Sequence, residues 1–410
     1  MCEFAWLDTT QREYLERTYF IPPMPRGRDE LVYRQKPAFL DQAKVDGKKH
    51  LIFNSYYLQP AVCKKAWALR DTGAYYCTFI GCCVREDHQP ERFFDQVYEV
   101  ADYVELYDVL THSAPYAIQS VIQPLVNGAV AVEAARHSGC AAVVDINDSL
   151  FFMRTDSQDF ECQLEACILE NATSFVHKMP AWGIAKMRAA WNLTRPDFLV
   201  HSLPVRALFE TCADMDDGPV RLVFAGGVVP YHIAVRNGHE NHIMDPLIHA
   251  VCGQGMDLTF VVNQNARNMF WKEHQRYIDF NKIYPGFSFE KGVPFFALPC
   301  KLRRNHFAIY WENIPVSSYM PDHFAINMAT KIFSYIEAGL PIIIHSIAPY
   351  MRNILVQHDF GVVYELDKLD RLTALLEGVD HVALKHNLDT YRSTFNDAMV
   401  ADIQTRAYTA

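Results

Sequence analysis

The sequence has little that would suit a nucleic-acid partner, a membrane span or an unfolded chain. Its 38 Lys and Arg residues are outnumbered by 48 Asp and Glu residues, giving a formal net charge of −10. Binding to a phosphate backbone needs a basic face, so we expect no nucleic-acid partner. No apolar run approaches about 18 residues, so we expect no transmembrane helix. Gly-, Ser- or Pro-rich tracts are absent while 50% of the residues are hydrophobic, and we expect no extensive disorder.

Signals for export and for metal binding are lacking as well. Residues 1–20 show no basic start followed by an apolar run, so we expect no signal peptide. The eleven cysteines are scattered, and the adjacent pair Cys82 and Cys83 fits neither a disulfide framework nor zinc-ligand spacing. We therefore predict reduced thiols in a cytoplasmic protein without a bound metal. Peripheral contact with a membrane surface stays open.

Short β-rich runs alternate with helical patterns along the chain. In the first half we predict strands over 51–55, 75–81, 103–106, 141–145, 175–177 and 197–200, with helices over 61–70, 117–137 and 160–171. A second series has strands over 220–225, 258–262, 307–310, 342–344 and 361–364, and a helix over 331–338. This alternation predicts an α/β protein with two doubly wound parallel sheets, and ligands near the carboxyl ends of strands in a cleft between them.

The polar segment 213–219 is the best linker between these two series. We predict an N-terminal extension over 1–48 that packs on the first domain, and a first domain over 49–215. The second domain is predicted over 216–386, followed by a C-terminal helix over 387–410 that returns to the first domain. A chain of 410 residues is long enough for two domains of ordinary size.

The most informative stretch covers residues 327–345. It predicts a short helix from Lys331, a glycine stop at Gly339 and a buried strand after it. Lys331, Ser334 and Tyr335 fall on one face of that helix. A lysine in the first helical turn opposes the helix dipole unless an anion such as a diphosphate binds there. A solvated lysine on an ordinary amphipathic helix is the alternative.

Small and polar residues follow two other predicted strands of the second series. Gly226 and Gly227 would let the backbone approach a phosphate, although without a third spaced glycine they form no dinucleotide fingerprint. Amides at Asn263 and the two residues after it could recognise a base or sugar hydroxyls, or simply cap a loop. Arg267 and Lys272 could reach phosphates or be surface charges.

Two further strand ends carry candidate ligand groups. Glu312 follows the predicted strand 307–310 and could bind ribose hydroxyls, or be an exposed strand-end carboxylate. His345 is the polar end of the strand that follows Gly339, where ligands bind in parallel sheets.

Four stretches, 223–227, 307–313, 327–345 and 360–364, resemble in this order the donor lobe of GT-B glycosyltransferases of the family 4-like group. In that family a lysine precedes a helix that closes with Gly-x-Pro before a buried strand. The resemblance implies two Rossmann-like lobes facing a cleft and a nucleoside-diphosphate sugar as co-substrate, without a further cofactor. It also implies metal-independent transfer to an unidentified glycan, lipid-linked or protein acceptor, in glycan or surface polysaccharide synthesis.

The sequence departs from that family at one motif. Ser334 stands where many retaining members carry a glutamate that binds the donor ribose, and Ile326 stands at the partner position. The paired-glutamate motif is thus absent, and the stereochemical outcome is not implied. Two other hypotheses stay open: a sugar-nucleotide epimerase of the same fold, and a sugar-nucleotide-binding protein that has lost catalysis.

Candidate catalytic groups lie in the first half. Asp145 and Asp148 end the predicted strand 141–145, as in the acceptor lobe of many members of the family. A carboxylate there could accept the proton of an acceptor hydroxyl. Alternatively, Asp148 caps the following helix. His112 follows the predicted strand 103–106 and is a further candidate base, or an ordinary surface or core histidine.

Overall fold

The computed structural model describes residues 4–19, 47–84, 89–154, 159–201, 204–236, 242–262, 271–312 and 321–410. The chain divides into two compact units, Met1–Leu203 with Asn396–Ala410, and Pro204–Phe395. In each unit the described strands form a parallel sheet with helices between them, which confirms the predicted class of two Rossmann-like lobes. No helix in the described ranges is long and apolar enough to cross a membrane.

The first unit has a sheet with the strand order β3-β2-β1-β4-β5-β6-β7. Its strands are β1 (Lys49–Asn54), β2 (Tyr75–Gly81), β3 (Gln96–Glu99), β4 (Ala117–Val121), β5 (Ala141–Ile146), β6 (Ser174–His177) and β7 (Asp197–Leu199). The helices of this unit are Thr9–Tyr19, Pro60–Asp71, Tyr103–His112, Leu125–Ser138, Leu150–Met153, Phe160–Asn171, Ala181–Trp191 and Asp397–Thr409. The last of these packs against Pro60–Asp71 and against β5, β6 and β7.

The second unit has the strand order β10-β9-β8-β11-β12-β13. Its strands are β8 (Arg221–Gly226), β9 (Asp257–Val262), β10 (Phe287–Glu290), β11 (Phe307–Tyr310), β12 (Ile342–His345) and β13 (Gly361–Tyr364). Its helices are Tyr231–Arg236, Asp245–Gly253, Gln275–Ile278, Leu298–Leu302, Pro321–Ile326, Thr330–Glu337, Pro349–Gln357, Leu372–Glu377 and His381–Ser393. The order reverses between β8 and β11, and in such sheets ligands bind at the carboxyl ends of the strands beside that reversal.

The strands are apolar because helices cover both faces of each sheet. All four residues of β12 are buried, as are all four of β11. Continuous runs of β-branched and aromatic residues, rather than alternating ones, are typical of such doubly covered strands. This burial is also why the central strands of the second sheet were predictable almost to the residue.

The boundaries of the second unit differ from the predicted 216 and 386, since it begins at Pro204 and ends at Phe395. Hydrogen bonds to Glu337 explain why the added segments at both ends belong to this unit. Its carboxylate accepts a hydrogen bond from the Val205 backbone N–H at 2.8 Å, and its carbonyl accepts one from the Glu210 N–H at 2.7 Å. The Arg392 guanidinium also donates to that carbonyl, at 3.2 Å. Both end segments are therefore tied to one helix terminus of the second unit.

Two predicted elements of the first unit were wrong. Residues 103–106 are the start of the helix Tyr103–His112. The Asp102 side chain caps this helix by accepting from the Glu105 N–H at 2.8 Å, and Glu105 in turn accepts from the Ala101 N–H at 2.6 Å. This reciprocal capping outweighs the β-rich composition of the segment.

The predicted long helix 117–137 is a strand, β4, followed by the helix Leu125–Ser138. Pro124 separates them, because the residue before a proline is pushed out of the helical region. Strands β3 and β10 were not predicted. Each has only four residues and contains a glutamate and another polar residue, too little pattern to identify a strand.

Candidate functional site

The carboxyl ends of β8 and β11 bring together the strongest group of predicted site residues. Strand β8 ends at Gly226 and its neighbour β11 ends at Tyr310. The helix Thr330–Glu337, here called the Lys331 helix, starts beside them. The Lys331 ammonium lies 4.5 Å from the ring centroid of Phe224 and 5.2 Å from that of Tyr310. The switch point of the second sheet therefore holds a cation above two aromatic rings.

Lys331 has hydrogen-bond donors that the described residues leave unused. Within the described ranges its ammonium has neither an ion pair within 4.0 Å nor a hydrogen bond. Burial lowers the pKa of Lys331, and the negative charge of Glu312 partly opposes that shift. A half-buried ammonium without a partner is stabilised by an anion placed next to it. The site therefore favours a negatively charged ligand.

Gly226 ends β8 next to the Lys331 side chain in a backbone conformation that favours glycine. Its φ of +148° is a conformation that L side chains rarely adopt, and a Cβ there would lie 3.4 Å from Cε and 3.5 Å from Nζ of Lys331. At Gly227 a Cβ would meet nothing within 4 Å. Gly226 is thus required by its backbone conformation, and a side chain there would only touch Lys331, whereas the space around Gly227 is open.

The Lys331 helix begins without a side-chain cap. Its N-cap residue is Ala329, whose methyl group cannot accept a hydrogen bond from the first-turn N–H groups. At the other end Gly339, with a φ of +72°, ends the helix as predicted. An uncapped helix start and an unpaired lysine at the same place are both suited to a phosphate group.

Tyr335 and Ser334 lie deeper in the structure than Lys331. Tyr335 is fully buried, and its hydroxyl accepts from the Ala225 N–H at 2.9 Å and lies 3.2 Å from the Ala225 carbonyl. It holds the Lys331 helix against β8, so we correct its role from substrate-binding to positioning. Ser334 is 9% exposed on the same helix, and its contact with a ligand stays a prediction.

His345 ends β12 as a fully buried residue. Burial lowers its pKa to about 4, so the ring is neutral at pH 7. Neither ring nitrogen has a hydrogen-bond partner in the described part of the chain. The ring centroid lies 5.4 Å from that of Tyr310 and 6.3 Å from that of Tyr364, so His345 belongs to the same edge of the sheet as Lys331.

Glu312 lies two residues beyond β11 and is half-buried. Its carboxylate accepts a hydrogen bond from the Tyr310 hydroxyl. This bond places an acceptor for sugar hydroxyls beside the lysine, and its ribose contact stays a prediction. Asn263 and Arg267 lie outside the described residues, and Lys272 is exposed.

Asp145 in the first unit is not available as a base. It is buried within β5, forms an ion pair with the Lys65 ammonium and accepts a hydrogen bond from the Gln119 amide at 3.1 Å. The Tyr408 hydroxyl donates in turn to Gln119, at 2.5 Å. The side chain thus belongs to a buried polar network under the C-terminal helix, and the predicted catalytic role of Asp145 is wrong.

Asp148 remains a candidate. Its side chain is 52% exposed, and one carboxylate oxygen lies 3.2 Å from the Lys178 ammonium. The alternative cap role belongs to its neighbour Ser149, whose hydroxyl accepts from the Phe151 N–H at 3.3 Å. Asp148 therefore presents an accessible carboxylate at the carboxyl edge of the first sheet.

His112 lies at the opposite edge of that sheet. It is an exposed residue at the C-terminal end of the helix Tyr103–His112, shortly before β4 begins, and its ring is 2.6 Å from the Asp108 carbonyl. Because the preceding segment is a helix and not a strand, the residue points away from the carboxyl edge that carries Asp148. The first sheet therefore does not bring His112 next to Asp148.

Sequence reasoning missed Glu165. This carboxyl is fully buried, accepts from the Leu150 N–H at 2.7 Å, and has a pKa raised to about 8 by burial. It holds the start of the short helix that follows Asp148. The available signal was an acidic residue on the apolar side of the helix Phe160–Asn171, and such buried acids often accompany functional sites.

No family model matches the chain, and no curated protein matches its sequence. Solved structures do match. HepE from Anabaena in complex with UDP-glucose is 12% identical over 88% of this chain and 100% of its own, with a TM-score of 0.62. The same protein with UDP gives 10% identity, 88% and 99% coverage and a TM-score of 0.59.

A third structure, TcCGT1 in complex with UDP, is 9% identical over 88% of this chain and 98% of its own, with a TM-score of 0.52. At such identities the likeness defines the fold. Together with the two parallel sheets, it shows that the chain has a GT-B glycosyltransferase-like fold.

Proposed function

We propose that this protein is a glycosyltransferase that uses a nucleoside-diphosphate sugar. The observation that carries the proposal is the Lys331 ammonium, which no described residue pairs, beside Gly226 and the uncapped start of the Lys331 helix. The structural neighbours HepE and TcCGT1 support it, because they were solved with UDP-glucose or UDP. A uridine nucleotide is therefore the first donor to test.

In this proposal the diphosphate lies against Gly226, Gly227 and the Lys331 helix. The acceptor hydroxyl oxygen attacks the anomeric carbon, and the bond between that carbon and the diphosphate oxygen breaks. The leaving electron pair stays on the diphosphate, where Lys331 and the helix N–H groups stabilise the growing charge. Glu312 offers a polar contact to the sugar part of the donor, and the ligand contact of the buried His345 stays a prediction.

Asp148 takes the proton of the acceptor hydroxyl. It is the remaining exposed carboxylate of the two that end β5, because Asp145 is held in its ion pair with Lys65. The acceptor, the independence from metals and the role in polysaccharide synthesis are parts of the proposal taken from the family resemblance. The cytoplasmic location stays a prediction of the sequence.

A sugar-nucleotide-binding protein without turnover is the second candidate. It is favoured by the loss of Asp145 as a base, together with Ser334 at the position of the family's glutamate. The test is incubation with a panel of UDP-, GDP-, ADP- and CDP-sugars, followed by detection of released nucleoside diphosphate. Release from one donor supports a transferase. Tight binding of a donor without any release, with a range of acceptors present, supports the second candidate.

A further inference from the structure

Strands β8 and β11 of the second unit pair with each other only near their amino ends. Their ladder covers residues 222–223 of β8 and 307–308 of β11, although β8 continues to Gly226 and β11 to Tyr310. On its other side β8 pairs with β9 over its whole length. In the described structure the carboxyl ends of β8 and β11 are therefore neighbours without a backbone ladder, at the place where the strand order reverses.

The Tyr335 side chain lies between these two strand ends. If the β8–β11 register continued, the Ala225 N–H would donate to the Ile309 carbonyl. The Tyr335 hydroxyl instead accepts from the Ala225 N–H at 2.9 Å, and it lies 3.2 Å from the Ala225 carbonyl and 3.5 Å from the Ile309 carbonyl. Tyr335 is fully buried. Its hydroxyl therefore takes the place of the next backbone hydrogen bond of the sheet and satisfies a backbone donor that needs a partner inside the protein.

This contact fixes the strand end that carries the candidate donor site. Ala225 is followed directly by Gly226, whose backbone lies beside the Lys331 side chain. Lys331 is four residues before Tyr335 and so lies on the same face of the Lys331 helix, one turn nearer to its start. One face of this helix therefore anchors the end of β8 with a hydroxyl and places an ammonium next to it.

We propose that Tyr335 is a positioning residue for the donor diphosphate, which acts through the backbone of Ala225 and Gly226 without contacting the ligand. This role rests on the proposed function, which places the diphosphate at Gly226. The hydroxyl holds the end of β8 in one position, so that the strand end does not have to be ordered when the ligand binds. Without the hydroxyl the Ala225 N–H loses its acceptor, because the aromatic ring still separates it from the Ile309 carbonyl.

The test is the substitution Tyr335→Phe in the full chain, which removes the hydroxyl and keeps the ring. Isothermal titration calorimetry with UDP should give a dissociation constant at least about fivefold above the wild-type value, because ordering of the strand end then opposes binding. The melting temperature should fall only slightly, since one hydrogen bond is lost and the packing of the ring is kept.

Tyr277→Phe is the matched control. Tyr277 is also fully buried in the second unit, and its hydroxyl accepts from the Met244 N–H at 3.4 Å, at the start of the helix Asp245–Gly253. This variant loses a tyrosine hydroxyl and a backbone contact as well, but at a helix and not between β8 and β11. It should also melt slightly below the wild type, and its UDP affinity should stay within about twofold of the wild-type value.

Amide hydrogen exchange measured by NMR without any ligand separates this inference from the proposed function. In Tyr335→Phe the Ala225 amide should exchange at least about tenfold faster than in the wild type, while the Val223 amide, within the β8–β11 ladder, should keep its rate. Failure of the wild type to bind UDP would count against the proposed function, and the exchange rates would still decide whether the hydroxyl anchors β8. Unchanged Ala225 exchange, equal UDP affinity of the wild type and Tyr335→Phe, or an equal loss of affinity in Tyr277→Phe would each overturn the proposal.

Discussion

Replacing Lys331 by methionine removes one ammonium while keeping a long apolar side chain. In the proposed complex that ammonium contacts a diphosphate, and hydrogen bonds to charged groups contribute about 1.5–3 kcal/mol. The position is half-buried, so solvent screens the contact less than at the surface. The dissociation constant for UDP should therefore rise roughly 10- to 150-fold. Isothermal titration calorimetry on both proteins measures this directly.

The same substitution should not destabilise the free protein. Burial lowers the pKa of Lys331, which means that the folded state disfavours the charged form. Removing a cation that has no ion pair within the described ranges takes away that cost, so the melting temperature of Lys331→Met should equal or exceed that of the wild type. A variant that binds weakly but melts normally has lost a ligand contact and not its fold.

Lys282→Met is the matched control for the loss of one positive charge in the same unit. Its side chain is 74% exposed and, among the residues that the structure describes, pairs only with Asp279, one helical turn away. UDP affinity should stay within about twofold of the wild-type value, since screened surface charges contribute little. If the wild type binds UDP and both variants bind it equally well, Lys331 does not contact the diphosphate and the assignment of the site is refuted.

Three further predictions test the surrounding residues. Gly226→Ala should cost about 1–3 kcal/mol of stability and weaken UDP binding, because it strains the backbone of the strand end at the proposed diphosphate site, whereas Gly227→Ala should melt like the wild type. Calorimetry and melting curves compare the pair. Asp148→Asn should lower turnover about 10²–10⁴-fold at an unchanged melting temperature. Asp145→Asn should destabilise the fold by about 3–5 kcal/mol, because it leaves Lys65 unpaired. Normal turnover in Asp148→Asn together with a normal melting temperature in Asp145→Asn would contradict the assignment. Burial raises the pKa of Glu165 from 4.5 to about 8, so the folded chain holds this proton more tightly and stability falls as pH rises through that window. Glu165→Gln should show a smaller loss of melting temperature between pH 4.5 and pH 8.5, and an identical loss in both proteins would be evidence against a buried neutral Glu165.

The second unit was predictable because its signals are local. Strand β11 and strand β13 have the predicted bounds, and the Lys331 helix begins one residue before the predicted start and ends at a glycine. Burial on both faces of the sheet produces the apolar runs of its strands. The positive φ at the helix end needs only one glycine, which is visible at a single position of the sequence. A sequence pattern within about 20 residues was enough to place Lys331 near the carboxyl edge of the second sheet.

The first unit was harder because its decisive contacts join distant parts of the chain. Lys65 and Asp145 are 80 residues apart, and Gln119 and Tyr408 are 289 apart. Nothing near Asp145 in the sequence distinguishes a buried ion pair from an exposed base. The helix Tyr103–His112 is a different case, because its capping residues Asp102 and Glu105 were visible in the sequence. The prediction gave more weight to the β-branched and aromatic composition of the segment and was therefore wrong.

The position of a bound diphosphate tests the central claim most directly. A crystal structure of this protein with UDP should place a phosphate oxygen within about 3 Å of the Lys331 ammonium and next to the first-turn N–H groups of its helix. The same structure should show Gly227 facing the diphosphate. A diphosphate bound at any other place on the second unit, with Lys331 still unpaired, would contradict the account.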